Sequence, residues 1–170
     1  MKKIFKFFTV AVVMLSFSLA GYSQATATGN AAARILSPIT LTAGADLNFA
    51  TIYKSVGGGT VRVTPAGVRT VVAGTVTLAA APVATAGTFT VGGDPALTYT
   101  ITLPADGVVT ISNGAVTMPV NVFTVTSASG TNTLSGAGSD LISIGADLIV
   151  GGGQASGTYT GTYNVTVQYN

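Results

Sequence analysis

The side chains that most often carry enzymatic chemistry are missing from this chain. It contains no His, Cys or Glu, so imidazole bases, thiolate nucleophiles and most soft metal ligands are absent. A serine nucleophile needs an activating base, and the only amine side chain outside the N-terminal end is that of Lys54. We therefore expect a protein that is not an enzyme, with no catalytic residue and no cofactor.

The five Asp residues are dispersed along the sequence. Asp94 and Asp106 flank one predicted strand, and Asp140 and Asp147 flank another. Asp often bonds to its own backbone in turns, which is the role we favour for these residues. A Ca²⁺ site built from Asp140, Asp147 and loop carbonyls is an alternative, but the sequence has no Asp-x-Asp loop. We assign no metal site.

The N-terminal residues predict export. Three lysines within the first six residues are followed by an uncharged apolar run, Phe7 to Leu19, and then by small residues up to Ser23. This order is typical of a secretory signal peptide, and a run of about 13 residues is shorter than the ~20 that a membrane-spanning helix needs. We expect residues 1–23 to be removed, which leaves a protein without a direct membrane span in the periplasm, on the cell surface or outside the cell.

The charge that remains after this cleavage is close to zero. Three of the seven Lys and Arg lie in the signal, so four basic residues face five Asp, a net charge of about −1. Such a chain cannot form the basic patch that nucleic acids or anionic lipids require. We expect no nucleic-acid partner.

The remainder, residues 24–170, is predicted to be a single all-β domain. Apolar residues alternate with a period of two, and Gly, Pro, Asn and Asp punctuate the chain at intervals of roughly 8–12 residues, which favours an antiparallel β-sandwich of roughly 9–11 short strands. Asn113-Gly114 indicates a two-residue hairpin turn. Strands are predicted in residues 47–49, 61–63, 75–78, 88–91, 97–103, 108–112, 118–125, 141–144 and 158–169.

The last predicted strand has the clearest alternation. Its odd-numbered residues are apolar or aromatic apart from Gly161, and the residues between them are Thr, Asn or Gln. One face can therefore pack in the core while the other meets water. Three tyrosines on the apolar face could also form a sugar-stacking stripe, although core packing is the interpretation we favour. The core face consists of Tyr159, Tyr163, Val165, Val167 and Tyr169.

The segment 25–36 also alternates, with small apolar residues on one side until Pro38 interrupts it. An N-terminal tail that pairs with nothing need not alternate between apolar and polar residues. Two interpretations stay open: a first strand paired in its own sheet, or a donor strand that adds to a neighbouring subunit. The donor face would consist of Ala25, Ala27, Gly29, Ala31, Ala33 and Ile35.

Several motifs resemble a known family. The stretches ARILSPITLT, LNFATI, VRVTPAGVRT, FTVGGDPALTYTITLP, IGADLIVGGGQASGTYTG and TYNVTVQYN resemble the secreted bacterial domain of unknown function 4402. The ending, Gly-x-Tyr-x-Gly-x-Tyr-x-Val-x-Val-x-Tyr, is similar to that of spore coat protein U and of fimbrial subunits assembled by a periplasmic chaperone and an outer-membrane usher. The resemblance implies an immunoglobulin-like fold and self-association into fibres. The chain departs from many pilus subunits because it has no Cys for a disulfide.

Three functional hypotheses follow. The first is an exported structural or adhesive cell-surface protein, a fimbria-like or coat subunit that self-associates by strand exchange. The second is a monomeric secreted binding module, for example for carbohydrate. The third and least favoured is an outer-membrane β-barrel, since aromatic residues are sparse and the chain ends in Asn170.

Overall fold

The computed structural model describes residues 24–114 and 116–170. The predicted signal peptide, residues 1–23, lies outside these ranges, so the structure does not test it. Residues 35–170 form one compact unit, and a separate unit ends at Arg34. Of the latter, residues 24–34 are described: they contain no β-strand, and every one of them is exposed.

The described residues form eleven antiparallel β-strands and no helix, which confirms the all-β prediction. Two of the strands are long, with twelve residues each. The strands are β1 (Thr40–Ala43), β2 (Ile52–Tyr53), β3 (Gly59–Val63), β4 (Arg69–Gly74), β5 (Thr77–Leu78), β6 (Gly87–Gly92), β7 (Tyr99–Thr102), β8 (Val109–Asn113), β9 (Val116–Ser127), β10 (Ser139–Val150) and β11 (Thr166–Tyr169).

Strand β10 is the centre of a seven-stranded sheet. Its residues 139–144 pair with β6 and its residues 146–150 pair with β3, so these two strands share one edge of β10 end to end. The other edge pairs with β9, which in turn pairs with β8. Strands β1 and β4 extend the sheet beyond β6 and β3.

The inner face of this sheet carries the core. All the even-numbered residues of β10 are buried, and they face two smaller sheets, β7–β11 and β2–β5. This is a sandwich-like arrangement, as expected. The Val61 cluster has the buried members Phe49, Val61, Val63, Val76, Ala84, Val109, Met118, Val120, Ala146, Leu148 and Val150. The Tyr99 cluster has the buried members Val91, Tyr99, Leu134 and Ile142.

The hairpin between β8 and β9 is confirmed, but its turn lies one residue later than predicted. Asn113 is still paired, with Val116, so the loop consists of Gly114 and Ala115, the latter outside the described residues. Gly114 has a φ of 65°, a left-handed conformation that glycine adopts without steric strain. Gly114 is therefore the first residue of the turn, whereas the prediction made it the second.

Several strand boundaries differ from the prediction. The last strand is confined to β11, and residues 161–165 are not assigned to any strand. The 141–144 strand is much longer, since β10 continues through Gly145 and Asp147. Residues 47–49 contribute only an isolated bridge between Asn48 and Thr85. Strands β1, β2 and β4 were not predicted.

Candidate functional site

The C-terminal segment keeps its alternation even where it is not a strand. All five odd-numbered residues predicted for the core face are half-buried, and every residue between them is exposed. Tyr159 and Tyr163 pack against the Val61 cluster. Val165, Val167 and Tyr169 pack against the Tyr99 cluster. One continuous segment thus covers both clusters.

Two of its tyrosines reach glycines at either end of β6. A Cβ atom built on Gly87 would collide with the hydroxyl of Tyr163, and one built on Gly93 would collide with the hydroxyl of Tyr169. Both positions therefore need glycine for the close approach of a side chain. Sequence reasoning did not link these glycines to the tyrosines of the ending.

Tyr163 lies between two phenylalanines. Its ring meets Phe89 edge to face, with centroids 6.1 Å apart and an interplanar angle of 83°. It meets Phe123 at 5.3 Å with an angle of 37°. Burial, and secondly the negative charge of Asp46, raise the pKa of the Tyr163 hydroxyl. The half-buried ring packs against these two phenylalanines and the Val61 cluster, which is the environment of a core residue rather than of a sugar-stacking platform.

The Tyr169 hydroxyl holds the start of the compact unit. It donates to the carbonyl of Ser37 at 3.1 Å and accepts from the amide of Asp94 at 2.8 Å. The Ser37 amide donates to a carboxylate oxygen of Asp94 at 3.0 Å. We call these three residues the root lock. It fixes the chain at Ser37, directly before Pro38, and it was not predicted from the sequence.

The residues that precede Ser37 are exposed. Ile35 has an exposed fraction of 93%, and Leu36 is exposed as well. The remaining five residues of the predicted donor face, from Ala25 to Ala33, are all exposed within residues 24–34, described by themselves. No β-strand is assigned to residues 24–36. The interpretation as a first strand in its own sheet is therefore not what the structure shows, whereas the donor interpretation stays a prediction.

The two Asp residues considered as Ca²⁺ ligands are held by other groups. Asp140 is buried and accepts from the Tyr99 hydroxyl at 2.8 Å and from the amide and hydroxyl of Ser129 at 3.1 and 2.7 Å. Asp147 is buried and accepts two bonds from the Arg62 guanidinium, at 2.6 and 2.7 Å. No group of three acidic, His or Cys side chains occurs in the part of the chain that the structure describes. Each carboxylate thus has a structural partner.

Arg69 also has structural hydrogen-bond partners. Arg69 donates to the carbonyls of Phe49 and Thr51 at 2.7 and 3.1 Å and to that of Ala79. These bonds join the segment before β2 to the residue after β5.

Burial is the first cause that raises the pKa of Tyr99, and the hydrogen bond to Asp140 is the second. Residues 24–114 and 116–170 contain no helix that is long and apolar enough to span a bilayer.

A family model described as a domain of unknown function, DUF4402, matches residues 39–169. The chain belongs to this family. No curated protein and no solved structure matches it. The DUF4402 match covers all eleven strands and ends at Tyr169, and the predicted donor segment 25–36 precedes it. Membership in the family therefore supports the domain itself and leaves the N-terminal segment to be judged on its own residues.

Proposed function

We propose that this DUF4402 protein is an exported structural subunit of a bacterial surface fibre or coat. Its subunits would join by strand exchange, in which residues 25–35 of one copy complete the sheet of another. The protein acts through packing and backbone pairing rather than through catalysis. A periplasmic chaperone and an outer-membrane usher are the assembly partners that fit this role, and the domain is proposed to be immunoglobulin-like in detail.

The observation that carries the proposal is the state of the N-terminal segment. It has a two-faced alternating sequence, yet residues 24–34 form no strand, and Ile35 is 93% exposed. Fully burying one Ile side chain is worth about 1.5–3 kcal/mol, and each backbone hydrogen bond of an added strand contributes about 0.5–1.5 kcal/mol. A second subunit can supply both, because an extended peptide adds readily to an open sheet edge.

Similarity to spore coat protein U and to chaperone–usher fimbrial subunits supports the same role through the ending from Gly157 to Tyr169. The structure gives that ending a physical reason. Its tyrosines and valines cover both core clusters, and its glycines allow close packing, since a Cβ at Gly161 would collide with the carbonyl of Thr110. The absence of Cys means that such fibres would lack disulfides and rely on packing and the β ladder.

The test uses adjacent residues of opposite faces. Ala31 belongs to the apolar side of the segment and Ala32 to the polar side. Under strand exchange, Ala31→Asp places an unpaired carboxylate in the acceptor, which costs several kcal/mol unless the group is protonated, whereas Ala32→Asp leaves the charge in water. We expect unheated surface extracts of the wild type and of Ala32→Asp to show a ladder of high-mass species on gels, and those of Ala31→Asp to show the monomer.

A further variant separates side chain from backbone. Ala31→Pro removes a ladder donor and is expected to abolish the ladder while the subunit is still exported. Equal ladders in the wild type and in Ala31→Pro would refute the donor role of the segment. A wild type that runs only as a monomer would instead favour the monomeric binding module, which needs no self-association.

A further inference from the structure

We propose that the open edge of residues 161–169 receives the donor segment, residues 25–35, of a second copy in the antiparallel direction. This inference rests on the proposed function and names the surface that accepts the strand. We call residues 161–169 the acceptor edge.

The acceptor edge is paired on one side only. At its two ends, Thr160 exchanges two backbone bonds with Ser112, at 2.8 and 2.9 Å, and the amide of Asn170 donates to Thr98 at 3.3 Å. Between these ends β11 pairs with β7. In an antiparallel ladder, successive residues direct their backbone groups to alternate edges. The even-numbered residues therefore face β7, and the N–H and C=O groups of Val167 and Tyr169 face the other edge.

The preceding residues of the acceptor edge have even fewer partners. Residues 161–165 make no backbone hydrogen bond with any described residue, although Tyr163 and Val165 point their side chains into the core clusters. A segment with the alternation of a strand, a buried face and no ladder is an incomplete sheet. The donor segment alternates in the same way, and its residues 25–34 form no strand.

The packing beside the acceptor edge is incomplete as well. The Tyr99 cluster has four buried members, and its half-buried members include Ile39 and Leu41 at the start of the compact unit and Val165 and Val167 on the acceptor edge. A strand laid along this edge would cover them. Small side chains suit such a position, since they add contact without forcing the packed neighbours apart. The acceptor edge carries no charge, so no charge would be buried by the added strand.

A second copy fits this edge better than the chain's own segment. The root lock holds Ser37 beside Tyr169, at the end of β11. Residues 25–35 of the same chain would therefore approach Tyr169 in the direction in which β11 runs, which gives a parallel pair. A parallel ladder is slightly less stable per residue than an antiparallel one. Only another copy is free to enter in the antiparallel direction.

Strand β4 is a competing acceptor, because it is also a sheet edge. Its valines Val71 and Val72 are 38% and 48% exposed on opposite faces, and its pairing with β3 contains a register shift at this point. Such bulges bend an edge strand and hinder further pairing. The apolar face of a donor would cover no core cluster there, which favours the acceptor edge.

The experiment uses cysteines, which the natural chain lacks. One copy carries Asn30→Cys on the polar face of its donor segment. The other carries a single exposed substitution on the acceptor edge: Thr162→Cys, Asn164→Cys, Thr166→Cys or Gln168→Cys. Neighbouring antiparallel strands place opposite Cα atoms about 4.5–5.5 Å apart, within the range of about 4.4–6.8 Å that a disulfide spans. The two copies are expressed together, and surface material is oxidised with copper phenanthroline.

We expect disulfide-linked dimers at one of these acceptor positions, or at two neighbouring ones, at least tenfold above matched controls. The controls place Cys on the other free edges, with Thr70→Cys on β4 and Thr42→Cys on β1. Dominant links to either control would overturn the inference, as would a wild-type ladder without any link to the acceptor edge. A chain that carries both cysteines and links only within itself would overturn the second copy as occupant. A wild type without a ladder would instead refute the proposed function.

Discussion

The close contact between Gly93 and Tyr169 makes a sharp prediction about stability. A Cβ atom at residue 93 would overlap the Tyr169 hydroxyl and would lie 3.0 Å from its ring carbon Cζ and 3.1 Å from Leu134 Cδ1. Gly93→Ala must therefore displace the hydroxyl that bonds to Ser37 and Asp94. We expect the variant to be folded but destabilised.

The size of the effect follows from two parts. Overpacking of this kind costs about 1–3 kcal/mol, and each of the two displaced hydrogen bonds contributes about 0.5–1.5 kcal/mol. We expect Gly93→Ala to lower the free energy of unfolding by about 2–6 kcal/mol and Tyr169→Phe, which removes only the hydroxyl, to lower it by about 1–3 kcal/mol. Because both variants lose the same two bonds, the effect of the double variant should fall short of the sum of the single effects by about 1–3 kcal/mol.

Urea denaturation of the purified chain measures these values for the wild type, both single variants and the double variant. Gly136→Ala is the matched control, since a Cβ atom there meets nothing within 4 Å, and it should change the stability by less than about 0.5 kcal/mol. Strict additivity of the two substitutions would show that the hydroxyl does not occupy the space above Gly93.

The remaining predictions concern the two ends of the chain and its buried tyrosine. The exported protein should begin near Gln24, and an intact mass that still includes residues 1–19 would refute the signal peptide. Truncation after Gly157 removes five side chains that cover both clusters, each worth up to about 1.5–3 kcal/mol, so no soluble folded protein is expected; a cooperative thermal transition would contradict this. The raised pKa of Tyr99 means that the folded state keeps a proton that the unfolded state releases near pH 10, so stability is complete below that pH and is lost above it. Urea midpoints that stay constant from pH 9 to pH 11 would argue against the buried Tyr99–Asp140 bond.

The sequence predicted those strands that have one buried and one exposed face. Val61 and Val63 in β3 and the alternating Tyr99 and Ile101 in β7 are examples. Strand β4 has no such pattern, because it is an edge strand exposed on both faces from Thr70 onward. A two-faced pattern comes from burial on one side, so an edge strand without it gives no periodic signal.

The length of strand β10 was underestimated for a different reason: only residues 141–144 were predicted, and the strand is Ser139–Val150. Gly145 and Asp147 are residue types that are common in turns, so the strand was ended before them, but both are buried on the outer face. A Cβ at Gly145 would collide with the carbonyl of Val63, and Asp147 is buried because Arg62 neutralises it from β3. Both features depend on a neighbouring strand, and a single sequence does not state which strand that is.

The buried face of the C-terminal segment was predicted from the apolar residues at its odd-numbered positions. The hydrogen bonds of the root lock could not be predicted in this way. Ser37 and Tyr169 are 132 residues apart in sequence, and no sequence pattern indicates that they are in contact. Sequence patterns of period two report local burial, but a hydrogen bond between the two ends of a domain follows only from the complete topology.

Immunoelectron microscopy of purified surface material tests the central claim most directly. With antibodies raised against residues 39–169, the account predicts thin fibres or a coat labelled at regular intervals along their length in the wild type. In the Ala31→Asp variant it predicts exported but unassembled protein. Label confined to the membrane or to dispersed single molecules in the wild type would contradict the structural role proposed for this domain.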